Sequence, residues 1–230
     1  MQSQDTVGVS LLKLWSWAEA NVKQIAIAFG VIVIVIGLVT FFQWKQNQKE
    51  IAAGNAFTQA LVGNPQAADA GQMVESYLKV AGEYSGTKAA QRAQLQGAAM
   101  LFTTGKYADA QSQFQKFLDT HPDSQFAGQA ALGVATSLDA QGQTNSALGA
   151  YQRVINAFAD PLAADTAKFA IARIDEAQGK YSDALIFYQD VAQANRNSSL
   201  GSEAGMRALE LKSKLPAAAS TTNAPFKLSN

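Results

Sequence analysis

The chain contains no cysteine and one histidine, His121, among its 230 residues. Without cysteine there is no disulfide framework, no thiolate nucleophile, no thiolate metal site and no lipid-carrying N-terminal cysteine. A single imidazole does not build a histidine metal cage. Net charge is also lacking: 18 Lys and Arg offset 18 Asp and Glu. A protein whose main partner is nucleic acid needs a surplus of cations, so that class is set aside. Tryptophan is missing from everything after Trp44, and the glycines are dispersed, with no Gly-x-Gly-x-x-Gly run and no phosphate loop. No cofactor is implied. What remains, at 230 residues, is enough chain for one or two domains with a buried core.

Charge is absent over one long stretch. From Gln24 to Trp44 there are 21 uncharged residues, and 18 of them, 25–42, are almost wholly apolar. As a helix rising about 1.5 Å per residue, such a run spans roughly 27–31 Å, the thickness of a bilayer's hydrocarbon core. The β-branched composition would also suit a buried strand, but strands seldom exceed about 10 residues. The reading is a transmembrane helix over 24–44, with lipid as the partner of those residues. Lys23 and Lys45 bracket it and Trp44 stands where an indole meets headgroups; these three are the predicted membrane-interface residues. The apolar run exceeds the roughly 7–15 residues of a signal-peptide core, and Gln43–Gln48 offers no small-residue cleavage site. The segment is therefore expected to persist as an anchor. Ahead of it, Leu11, Leu14, Trp15, Ala18 and Val22 recur at helical spacing. They predict a short amphipathic segment over 1–23 that either lies on the membrane surface or docks to a membrane partner. Lysines leave orientation open, since Lys13 and Lys23 precede the span while Lys45 and Lys49 follow it. The N-terminal amine adds one cation on the leading side.

Behind the span the sequence repeats. Shifted by 37 residues, three copies align: Gly105, Gly142 and Gly179, then Ala110, Ala147 and Ala184, then Phe114, Tyr151 and Tyr188, then Phe117, Val154 and Val191. Upstream, Leu95, Leu132 and Phe169 match, as do Ala98, Ala135 and Ala172. Each unit reads as two antiparallel helices. Leu95, Ala98 and Leu101 line one face of the first. Gly105 ends that helix, because glycine accepts the left-handed backbone of a C-terminal cap. In the second helix Ala110, Phe114, Phe117 and Leu118 face back, and Ala110 is small because the two axes approach closely there. The predicted repeat-packing residues are Gly105, Tyr107, Ala110 and Phe114, then Gly142, Ala147 and Tyr151, then Gly179, Tyr181, Ala184 and Tyr188.

Pro122 is expected to close the first unit, with Asp123 or Ser124 capping the next helix, and Pro161 to close a later one. One period back, Tyr77 and Val80 fall beneath Phe114 and Phe117, predicting a degenerate helix pair over 45–86 whose first helix continues from the span. One period forward, Met206 and Leu209 fall beneath Phe169 and Ala172, predicting a capping helix over Ser199–Leu215 that closes the array at 87–215. Residues 216–230 have too little apolar content to fold and are expected to form a disordered tail. The fold class is therefore all-α: an N-terminal transmembrane helix, then a helix-hairpin solenoid of three clear repeats, one degenerate N-terminal pair and one capping helix.

The array holds no evident chemistry. His121 precedes Pro122 at a repeat junction with no Ser or acid constellation beside it. Asp109 and Asp183 are equivalent turn positions rather than a paired acid and base, and Asp119, Asp123 and Asp139 lack metal-loop spacing. Gly30 and Gly37 stand seven apart in the span, a weak helix-packing signal.

The turns Gly105-x-Tyr107-x-x-Ala110 and Gly179-x-Tyr181-x-x-Ala184 resemble the tetratricopeptide repeat, and Ala98, Ala135 and Ala172 match its small first-helix position. The middle copy has Thr144 in place of the tyrosine, and the period is 37 against the family's usual ~34. The resemblance implies an extended groove lined by first helices, with Arg92, Gln96, Gln129, Thr136, Arg173 and Glu176 facing it, and non-enzymatic binding of other proteins. Together with one N-terminal span, the layout resembles the ancillary SecYEG translocon subunit family. That implies a bacterial inner-membrane protein with a cytoplasmic N-terminus and periplasmic repeats. Its partners would be translocon subunits, periplasmic chaperones and secreted clients. Periplasmic cell-division coordinators and outer-membrane assembly lipoproteins share the Gly105–Ser124 pattern but need a cleavable signal or a cysteine. An adaptor with cytoplasmic repeats is a further alternative.

Overall fold

The computed structural model describes Trp17, Glu19 and residues 21–62 and 69–215. Most of the predicted amphipathic segment, with Leu11, Leu14, Trp15 and Ala18, lies outside the described residues, as does the predicted tail at 216–230. The chain divides into two compact units between Ala52 and Ala53.

The uncharged run belongs to one helix, α1 (Val22–Val62), of 41 residues. Among the described residues it alone is long and apolar enough to cross a membrane, and none of its apolar stretch is buried within the chain. Its only interior hydroxyl in that stretch, Thr40, donates to the carbonyls of Ile36 and Gly37, so no side-chain donor is left without a partner in an apolar surrounding.

The described part of the second unit holds the end of α1, residues 53–62, and eight further helices: α2 (Ala70–Glu83), α3 (Lys88–Thr103), α4 (Tyr107–Thr120), α5 (Ala127–Ala140), α6 (Thr144–Ala157), α7 (Pro161–Ala177), α8 (Tyr181–Ala194) and α9 (Ser199–Lys214). From α2 onward each helix packs on the next in sequence. The hairpins α3–α4, α5–α6 and α7–α8 are turned by the three aligned glycines, with φ of +78°, +74° and +75°. At each turn the same pair of bonds recurs: Gly105 and Lys106 donate to the carbonyls of Phe102 and Leu101, Gly142 and Gln143 to Asp139 and Leu138, Gly179 and Lys180 to Glu176 and Asp175. This satisfies carbonyls that a helix end leaves exposed and requires a residue without Cβ at the left-handed position. The second helices α4, α6 and α8 each have 14 residues.

Two capping expectations are corrected. The N-cap position of α5 is Phe126, which contributes no side-chain cap. Ser124 instead accepts from Phe126 N–H at 3.2 Å while its hydroxyl donates to Gln91 Oε1 at 2.8 Å; the hydroxyl is spent joining α5's entry to α3. Pro161 opens α7 rather than closing a unit, because Asp160 caps that helix by accepting from Ala163 N–H at 3.1 Å. Proline suits the first helical turn, where its missing N–H has no partner to lose.

The core follows the aligned columns. Ala98, Ala135 and Ala172 and, facing them in sequence register, Ala110, Ala147 and Ala184 are completely inaccessible. Tyr77, Tyr151 and Tyr188 each retain 1% exposure. One column breaks its own rule: Asp175 stands in the register of Leu101 and Leu138 and is as buried as they are, at 8% exposure.

Candidate protein-binding surface

First helices approach one another across units, α3 on α5 and α5 on α7. The six predicted groove residues lie on these three helices. Arg92, Gln96, Gln129 and Arg173 are exposed, and Thr136 and Glu176 are half-buried. They do not form one cluster. Arg92 lays its guanidinium over the Phe126 ring, 5.5 Å from the centroid, bridging α3 to the start of α5. Thr136 donates to its own helix, at the carbonyls of Leu132 and Gly133. Gln96 and Gln129 point outward.

Arg173 and Glu176 belong to a motif that occurs twice. In the second hairpin the Tyr151 hydroxyl donates to Asp139, twelve residues earlier on α5, at 3.5 Å; Arg173 from α7 pairs with the same carboxylate. In the third hairpin Tyr188 donates to Glu176 at 2.9 Å, again twelve residues earlier, and Arg207 from α9 approaches Glu176 at 3.8 Å. Tyrosine from a second helix, acid from its first helix and arginine from the next first helix thus stitch adjacent units. Burial is the main cause that pushes both phenols above their ordinary pKa. The Asp139 charge adds to it for Tyr151 and the Glu176 hydrogen bond for Tyr188, with the arginines opposing. Both stay protonated donors at neutral pH. In the first hairpin the corresponding positions are apolar, Phe114 and Phe102, and Phe102 packs on Tyr107 at 5.2 Å between centroids. Sequence reasoning missed Asp139 as a stitch. The signal was present in the same register, since Asp139 and Glu176 stand one period apart beneath Tyr151 and Tyr188.

Thr144, the departure from the turn pattern, has a spatial consequence. Where Phe102 and Tyr107 fill the first turn, Asp139 and Thr144 line an open hollow of about 260 Å³ with Arg173, Ile174, Ala177 and Gln178. Tyr181, in the third copy, is 37% exposed. His121, the C-cap residue of α4, packs its ring edge-on to Phe117 at 5.2 Å, a structural contact. Among the described residues no group of three or more His, Asp or Glu could hold a metal ion. On α1, Lys23, Trp44 and Lys45 are all exposed, and Trp44 lies 6.3 Å from Phe41.

The profile of the tetratricopeptide repeat-like domain matches residues 15–148, from ahead of the apolar stretch through the start of α6. The chain belongs to that family. Comparison with curated proteins returns no match. Tetratricopeptide repeat-like arrays are interaction modules, and the described residues, with nine helices in all and no strand, have the corresponding helical-repeat architecture.

Proposed function

We propose that this tetratricopeptide repeat-like chain is a membrane-tethered scaffold at the protein-export translocon, where its repeats bring emerging secreted proteins to periplasmic chaperones. Residues 24–44 are its anchor in the bacterial inner membrane, with the N-terminus cytoplasmic, the hairpin pair at 45–86 joining anchor to array, and the repeats at 87–215 periplasmic. One observation carries the reading. The helix that bears an unburied apolar stretch also supplies the fully buried Ala53, and Phe57 whose ring lies 6.0 Å from that of Tyr77, to the first packed helices of the array. The exposed Gln96 and Gln129, with the Asp139–Arg173 pair at the hollow beside Thr144, give the first-helix side a polar, hydrogen-bonding character, which suits transient contacts with chains of varied sequence.

The test is topological and then chemical. Ser220→Cys in the full chain should react with a membrane-impermeant maleimide in cells whose outer membrane alone is permeabilised. A photocrosslinker at Gln129 should then yield adducts to translocon subunits or chaperones. Labelling only after the inner membrane is breached would replace this reading with a cytoplasm-facing adaptor.

A further inference from the structure

Helix α9 has the pattern of a first helix, but among the described residues no second helix follows to pack against it. Its buried residues, Ala204, Ala208 and Leu211, join a core with Tyr188 and Val191 of α8, as a first helix does with the unit before it. The residues one period beyond Phe169 and Ala172 are Met206 and Leu209. In the three hairpins Ala98, Ala135 and Ala172 are inaccessible and Leu95, Leu132 and Phe169 are buried or half-buried. On α9 the same columns are left open: Met206 is 65% and Leu209 72% exposed. A terminal helix that merely closed an array would carry polar groups on that face. Here Ser202, Met206, Leu209 and Ser213, spaced by four, three and four residues, form an exposed strip that is apolar at its centre.

The repeat specifies what fits the strip. In each hairpin it is an antiparallel helix of 14 residues carrying alanine, then an aromatic four residues on, then Phe or Val three further on, as in Ala110, Phe114 and Phe117, or Ala184, Tyr188 and Val191. The sequence of the chain's own continuation does not carry this pattern. In register, Pro216 replaces the turn glycine, Thr221 the crossing alanine and Pro225 the central tyrosine. A proline at that interior position removes a helical hydrogen bond and clashes with the preceding turn. The helices of that register in a second copy, α2, α4, α6 and α8, are each packed on a neighbour of their own chain, so a copy would have to open one of those contacts to supply it.

We infer that the exposed strip of α9 docks an amphipathic helix of another protein, which adds to the array as its missing second helix. Its apolar face would carry a small residue followed by larger ones at four and seven positions. A single helix pair buries less than a standard interface of roughly 800 Å² per partner, so the contact is a weak one, suited to a partner confined to the same membrane. This surface is separate from the groove formed by α3, α5 and α7, and its failure would leave that reading standing.

The experiment places p-benzoylphenylalanine at position 206, and separately at 209, in the full membrane-resident chain. The membranes are irradiated and the adducts sequenced, with a second, isotopically labelled copy present to mark self-contacts. The expected result is an adduct to a segment of another protein bearing the alanine, aromatic, apolar pattern. A synthetic peptide of that segment should then bind the purified full chain in detergent. Leu209→Asp should weaken that binding at least about tenfold and leave the melting temperature unchanged. Adducts confined to residues 216–230, to a second copy, or to a segment lacking the pattern would overturn the inference. So would the absence of any protein adduct, or peptide binding indifferent to Leu209→Asp.

Discussion

At the scale of single residues, Asp175 is the clearest conflict between sequence column and side chain. It occupies a leucine position, and burial pushes its carboxyl above the ordinary range although Lys180, at 3.7 Å, pulls it down and Asp183 pushes further up. A carboxyl whose folded pKa is raised costs stability when ionised. That cost is complete above the folded pKa and fades as the pH falls through it, because the folded state then takes up the proton. Asp175→Leu restores the column of Leu101 and Leu138 and should stabilise the array at pH 7 by about 1–4 kcal/mol. The gain should shrink in acid; urea denaturation across pH measures it, and a variant less stable than the parent at neutral pH would contradict the assignment. The tyrosine stitches permit a second comparison. Tyr188→Phe removes a 2.9 Å bond to a carboxylate and should cost about 1.5–3 kcal/mol, whereas Tyr151→Phe removes one of 3.5 Å and should cost less. Equal losses on thermal melting would place the energy in ring packing instead. Such pairings were only partly legible beforehand. Columns of alanine and aromatic residues announce packing, but a hydroxyl's acceptor depends on which neighbouring helix presents it.

At the scale of helices the sequence was more informative, and for a physical reason. A positive φ is strained for any residue with a Cβ, so glycine at Gly105, Gly142 and Gly179 marks each hairpin turn without reference to distant structure. Close helix crossing is equally restrictive and leaves Ala110, Ala147 and Ala184 at zero exposure. Ala147→Trp should therefore destabilise the array by several kcal/mol, beyond the ~1–3 kcal/mol of ordinary overpacking, since an indole has no volume to enter between α5 and α6. An unchanged melting temperature would mean that the crossing lies elsewhere. Unit junctions were less legible. Cap chemistry there is shared among several candidates, and Ser124 is used for a contact with Gln91, 33 residues away, rather than for the helix it precedes. Local pattern does not encode that choice.

For the whole molecule, the decisive feature is that the buried apolar residues of the repeat array begin at Ala53, after the uncharged run. None of the apolar stretch of α1 is buried within the chain, so the array's core does not depend on it. A chain of residues 46–230 should remain folded in buffer without detergent, with strongly helical circular dichroism. Neighbouring units share their interfaces, so stability in such an array grows with each added hairpin. Removing residues 161–215 from that chain should consequently lower the unfolding midpoint while leaving helix in the remaining units. It would also delete the whole Tyr188–Glu176–Arg207 stitch and the Arg173 half of the other. The shortened array should therefore lose more stability than the apolar area of the three deleted contacts between successive helices, α6 on α7, α7 on α8 and α8 on α9, alone accounts for. If residues 46–230 instead gave little helix, or aggregated until the apolar run was restored, the apolar run would be part of the core and the proposed division into tether and binding domain would be wrong.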